Sequence, residues 1–118
     1  MADIVYIDSP VSLEKIKEIA AQRFGDMVKA VVDIEKGVMA IGAELHADEE
    51  AFLLDKESKQ EALWGINIYP DISMPDAIEY DSMINIRPSD NNSSRTIENK
   101  SIQKTINEIV ARLIPDLQ

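Results

Sequence analysis

The chain has 118 residues, 45% of them apolar and 29% charged, which fits one soluble globular domain over residues 1–118 and excludes disordered, collagen-like and fibrous classes. It has no cysteine, so disulfide staples, thiolate metal sites and a cysteine nucleophile are excluded, and a reducing cytoplasm suits it. A net charge of −10 argues against nucleic-acid binding, no apolar run approaches the roughly 18 to 20 residues of a membrane span, and Met1-Ala2-Asp3-Ile4 lacks the basic start of a targeting segment.

Ile4 to Ile7 reads as a first strand, closed by Asp8-Ser9-Pro10. Ser12 then caps a helix with Glu14 in its first turn, and Leu13, Ile16, Ala20 and Phe24 recur at helical spacing until Gly25. Val28, Ala30, Val32 and Ile34 alternate with their neighbours, and Glu35-Lys36-Gly37 separates this run from Val38 to Leu45, which predicts a β-hairpin. Its second arm is apolar on both faces around Ala40 and Ile41, as an interior strand is. From His46 to Ala62 two readings compete. Asp48 can cap a short helix with Glu49 and Glu50 in its first turn, or Phe52-Leu53-Leu54 can form a strand; the helix is preferred.

Trp64 to Tyr69 and Ile78 to Arg87 read as two strands, joined antiparallel through Pro70 to Asp76. Each contains Ile-Asn-Ile followed by a polar residue and proline: Gly65-Ile66-Asn67-Ile68-Tyr69-Pro70 and Met83-Ile84-Asn85-Ile86-Arg87-Pro88. Period two places Trp64, Ile66, Ile68, Ile78, Tyr80, Ile84 and Ile86 on one side, and Asn67, Tyr69, Glu79, Asp81, Asn85 and Arg87 on the other. Asn99 caps a last helix whose Ile102, Ile106, Ile109, Val110 and Leu113 form one apolar stripe, ending at Pro115. The fold class expected is α+β: a two-layer domain with a mainly antiparallel sheet, element order β-α-β-β-α-β-β-α, and the N- and C-terminal helices packed on one face.

The runs Gly42 to Glu50, Trp64 to Pro70 and Ser82 to Pro88 resemble a small prokaryotic family of uncharacterised proteins, catalogued only as a domain of unknown function. The resemblance spans nearly the whole chain. It implies a single domain and brings no activity, substrate or site residues with it.

Two groups of residues carry candidate chemistry. Asn67, Tyr69, Asn85 and Arg87 on the polar sheet face, with Asn92, Ser94 and Arg95 in the Ser/Asn-rich loop, can hold a ligand: guanidinium groups fork onto carboxylate or phosphate, while hydroxyls, amides and backbone N–H groups complete an anion cradle. The competing reading is an ordinary surface loop, with Arg87 paired to Glu79 or Asp81. His46 with Asp48 and Glu49 is the second group, since imidazole and carboxylates are both acid/base groups and metal ligands. One histidine without a second makes a poor zinc site, so no metal is assigned beyond His46 and Asp48 as weak candidates, and no cofactor is expected. Four glycines cannot build a dinucleotide loop, and neither a nucleophile elbow nor a P-loop is present.

The leading expectation is therefore a small cytosolic binding or interaction protein that uses the polar sheet face and the 89–95 loop, with a small anion or a protein as partner, and with a homodimer compatible. The alternative is a small enzyme acting on an anionic substrate, metal-assisted or not, in which Arg87 and Arg95 orient the substrate and His46 and its acidic neighbours act on it.

Overall fold

A computed structural model describes residues 4–117; residues 1–3, which belong to the segment considered for targeting, and Gln118 lie outside the described residues. The strands are β1 (Val5–Ile7), β2 (Val28–Asp33), β3 (Val38–Ile41), β4 (Leu63–Ile68) and β5 (Ile78–Glu79), and the helices α1 (Leu13–Gln22), α2 (His46–Asp55) and α3 (Lys100–Leu113). All strand pairs are antiparallel, in the order β1-β3-β2-β4-β5. The element order and mixed α+β class are those expected, with β3 interior as its two apolar faces require. Among the described residues no helix is long and apolar enough to cross a membrane.

Local chemistry sets each element. The Ser12 hydroxyl accepts from Lys15 N at 3.1 Å and starts α1, and Asn99 Oδ1 accepts from Ser101 N and Ile102 N at 2.8 and 3.2 Å to start α3. Between β2 and β3, buried Asp33 takes Glu35 N and Lys36 N on Oδ1, each at 2.9 Å, and Gly37 closes the turn at φ +70°. Ile16, Ile19 and Ala20 of α1 and Ile106, Ile109, Val110 and Leu113 of α3 bury one face of the sheet, against Val28, Ala30, Val32, Met39, Ile41, Trp64, Ile66 and Ile68. The period-two alternation sends the remaining strand residues to the opposite face. There Val31, Ala40 and Leu63 meet Leu53 of α2.

Two expectations are corrected. The strand read over 78–87 stops at Glu79. Beyond it Tyr80 and Asp81 turn to the segment before α3, where Ile97 N donates to Tyr80 O at 3.2 Å and Asp81 bridges Thr96. Met83–Asn85, which takes in the first two residues of the second Ile-Asn-Ile, is a 3-10 turn capped by Ser82. Ile84 consequently packs with Val31, Ala40, Leu53 and Leu63 rather than on the isoleucine side, and Ile86 is exposed. The second correction concerns the start of α2: it begins at His46 with Leu45 as N-cap, so Asp48 lies in the first turn instead of capping it; Phe52-Leu53-Leu54 is helical, the preferred of the two readings.

The turn at 82–85 lies directly on β4 because Gly65 lets it. A Cβ at Gly65 would stand 2.6 Å from Ser82 Cβ and 3.2 Å from Ile84 Cγ1. In that space the Asn85 amide pairs with the strand as a peptide would, Oδ1 accepting from Gly65 N at 2.8 Å and Nδ2 donating to Gly65 O at 3.0 Å.

Candidate functional site

The sequence candidates do not converge on one place. Asn85 and Asn92 are both buried and structural. Asn92 Nδ2 donates to the carbonyls of Asn85, Ser94 and Thr96 at 2.8, 3.0 and 2.9 Å, and its Oδ1 accepts from Glu98 N at 2.8 Å. The Ser/Asn-rich loop does form an anion cradle, but the chain's own carboxylate occupies it. Glu98 Oε2 accepts from the Ser94 hydroxyl at 2.7 Å and from the backbone N–H groups of Ser93 and Ser94 at 3.2 and 3.0 Å. Chiefly through the Ser94 hydroxyl, these donors hold the Glu98 carboxyl below its ordinary range.

Arg87 lies elsewhere again. Its guanidinium stacks 3.8 Å from the Trp64 ring centroid and donates to Gln60 O and Leu63 O at 2.7 and 2.5 Å. It borders an open depression with Gln60, Glu61, Ser89 and Asp90. Tyr69 donates from its hydroxyl to Glu79 at 3.3 Å, on the outer side of β4.

Three further candidates, Asn67, His46 and Arg95, line one pocket of about 320 Å³ on the α2 face of the sheet. Lys29, Asp81 and Ser82 complete its polar wall, and Met27, Leu45, Ala47, Met83 and Ile84 its apolar part. Topology explains the convergence. Lys29 and Asn67 are direct cross-strand partners on β2 and β4, Asn67 pairs in turn with Glu79, and the chain after β5 brings Asp81 to Ile84 back over the strand.

Each polar group has a distinct state. Arg95 grips Asp81 with Nε to Oδ1 at 3.0 Å and a terminal nitrogen to Oδ2 at 3.2 Å. Lys29 makes a cation–π contact with Phe24, 5.4 Å from the ring centroid, and has no hydrogen bond or ion pair among the described residues. Asn67 is only 6% exposed; Nδ2 donates to Glu79 Oε1 at 2.8 Å and to Asp81 O at 3.4 Å, which fixes the amide's orientation and leaves buried Oδ1 without a donor.

His46, 7% exposed, lies 2.7 Å by Nε2 from Ile66 O. A carbonyl can only accept, so Nε2 carries the proton and Nδ1, which makes no hydrogen bond among the described residues, is the lone-pair nitrogen. Burial, above the opposing Ile66 hydrogen bond, keeps the imidazole pKa below its usual value and the ring neutral. The N-terminus of α2 lines the same pocket through Leu45, His46 and Ala47, and Leu45 supplies no side-chain cap there.

Glu49 and Asp48 do not line the pocket. Asp48 is exposed, whereas Glu49 is fully buried, accepting from Ala43 N at 3.0 Å on Oε2 and leaving Oε1 unpartnered. Desolvation raises its pKa to about 9, so the carboxyl is protonated at neutral pH. Among the described residues no group of three or more His, Asp or Glu side chains is arranged to hold a metal ion.

Lys29 is the functional candidate the sequence reading passed over. The available signal was its position: the sole cation on a β2 face otherwise made of Val31, Asp33 and the preceding Met27. A sequence profile of a family described as "Protein of unknown function (DUF5674)" matches residues 5–113. No curated protein and no solved structure matches the chain.

Proposed function

The chain belongs to the DUF5674 family of proteins of unknown function, and we propose that it is a small binding protein whose ligand presents an anionic group to the pocket at the start of α2. The observation that carries this reading is the pairing in the polar wall. Arg95 is held by Asp81, while Lys29 has no ionic partner among the described residues and faces the same space as the uncapped helix start. A lysine without an ionic partner that lines the same pocket as a helix N-terminus attracts anions locally even in a chain of net charge −10. The absence of cysteine supports a reducing, cytoplasmic setting.

A thermal-shift panel of carboxylates, phosphate and nucleotides tests it on the wild-type chain, Lys29→Met and Arg87→Ala. At a concentration of 100 Kd a ligand adds about 2.7 kcal/mol of stability, so at least one anion is expected to raise Tm in the wild type and in Arg87→Ala but not in Lys29→Met. If no compound shifts the wild type, the reading is abandoned.

His46 favours a second reading, a small enzyme acting on an anionic substrate. A neutral imidazole with Nε2 tied to Ile66 O and Nδ1 open is suitably prepared to take a proton from a substrate held by Lys29 and Arg95. It predicts that His46→Gln abolishes turnover while ligand binding persists. Binding without any turnover leaves only the first reading.

A further inference from the structure

We infer, resting on the reading that this pocket is a ligand site, that its ligand is a small apolar α-amino acid. Its carboxylate lies at Lys29 and the start of α2, its ammonium group at Asp81 and His46, and its side chain against Leu45 and Met83. The first ground is charge. With Arg95 and Asp81 compensating each other and His46 neutral, the pocket carries one uncompensated positive charge, that of Lys29. One such charge suits one carboxylate and is too little for a di- or triphosphate in a chain of net charge −10.

The second ground is the surplus of acceptors. His46 Nδ1 lacks a donor, and each Asp81 oxygen takes a single hydrogen bond from Arg95. A plain carboxylate brings only acceptors of its own and leaves these unmet. A ligand that also carries an ammonium group supplies donors to that side while its carboxylate answers Lys29. The third ground is the mouth. Leu45 and Met83 are 56% and 67% exposed, unusual for large apolar side chains, and they stand with Met27 and Ile84 around one opening. Burying an apolar ligand side chain there covers them. A volume of about 320 Å³ is at the lower end for small-molecule sites, which run from about 300 to 1,000 Å³, and favours a compact ligand.

Isothermal titration calorimetry of the full chain tests this with L-leucine, L-methionine and L-phenylalanine, and with glycine as the side-chain-free control. Two analogues of leucine, 4-methylpentanoate without the ammonium and 3-methylbutylamine without the carboxylate, and inorganic phosphate complete the set. At least one apolar amino acid is expected to bind, with glycine and its own truncated analogues at least about tenfold weaker. Asp81→Asn is expected to weaken leucine and leave 4-methylpentanoate unchanged, and Lys29→Met to weaken leucine and leave the amine unchanged; circular dichroism confirms that both variants fold. Equal binding of 4-methylpentanoate and leucine, or binding of phosphate alone, overturns the amino-acid assignment while the anion pocket stands. No binding by any probe, together with an unresponsive anion panel, sinks both.

Discussion

Three consecutive acids on α2 meet three different surroundings: Asp48 is exposed, Glu49 fully buried and Glu50 half-buried. In the sequence they read as one acidic first turn, because a local charge run does not show which member the helix rotates inward. For Glu49 the consequence is measurable. Its carboxyl titrates near 4.5 when unfolded and about 9 when folded. Between these values the native state keeps a proton that the unfolded chain releases, so stability falls as pH rises from about 4.5 toward 9, by at most about 1.4 kcal/mol per pH unit. Glu49→Gln removes that loss. Thermal melts at pH 5, 7 and 9 should show the variant gaining on the wild type steadily as pH rises; parallel curves would mean that the carboxyl does not stay protonated in the fold. Asn67, Asn85 and Asn92 teach a related lesson. All three look like ligand-binding amides in the sequence, yet an amide serves a strand, a loop or a ligand equally well, and only the tertiary neighbours decide which.

At the scale of elements, legibility followed how local the determinants are. Helix α3 was readable in full, since Asn99 and the stripe Ile102, Ile106, Ile109, Val110 and Leu113 lie within one stretch of chain. The start of α2 was not, because no side chain caps it and β3 simply runs into it through Gly42 to Leu45. The two Ile-Asn-Ile segments share one period-two pattern, but only the first is a strand. What separates them is distant in sequence: Gly65 leaves room for the 82–85 turn, and the Asn85 amide satisfies the two strand groups that a further strand would have paired. Gly65→Ala puts a methyl group where Ser82 and Ile84 already stand. The turn must lift, with an expected loss of about 1–3 kcal/mol in urea denaturation. Because Ser82 to Ile84 also wall the pocket, any ligand of the wild type should bind the variant more weakly. An unchanged denaturation midpoint would show that the turn gives way freely. The pocket was half legible for the same reason. His46, Asn67 and Arg95 stood out as residue types, whereas Lys29 joined them only through the β2–β4 register.

For the whole molecule, the sheet order leaves β4 only partly paired on its outer side. β5 covers Asn67 and Ile68 alone. Along the rest of that side Asn85 takes both groups of Gly65 and Arg87 takes Leu63 O. Exposed, that row of donors and acceptors would be a template on which a strand of another molecule could add, and then another. The two side chains occupy those groups, and removing them is expected to open the edge to another copy's strand. Sedimentation velocity of Asn85→Leu over a concentration series should reveal assemblies larger than those of the native chain, and a variant that keeps the native distribution at every concentration would show that the edge stays closed without that amide. A side chain that resembles a recognition element in the sequence thus fills the backbone groups that the one partner every β-protein has in abundance, another copy's strand, would need.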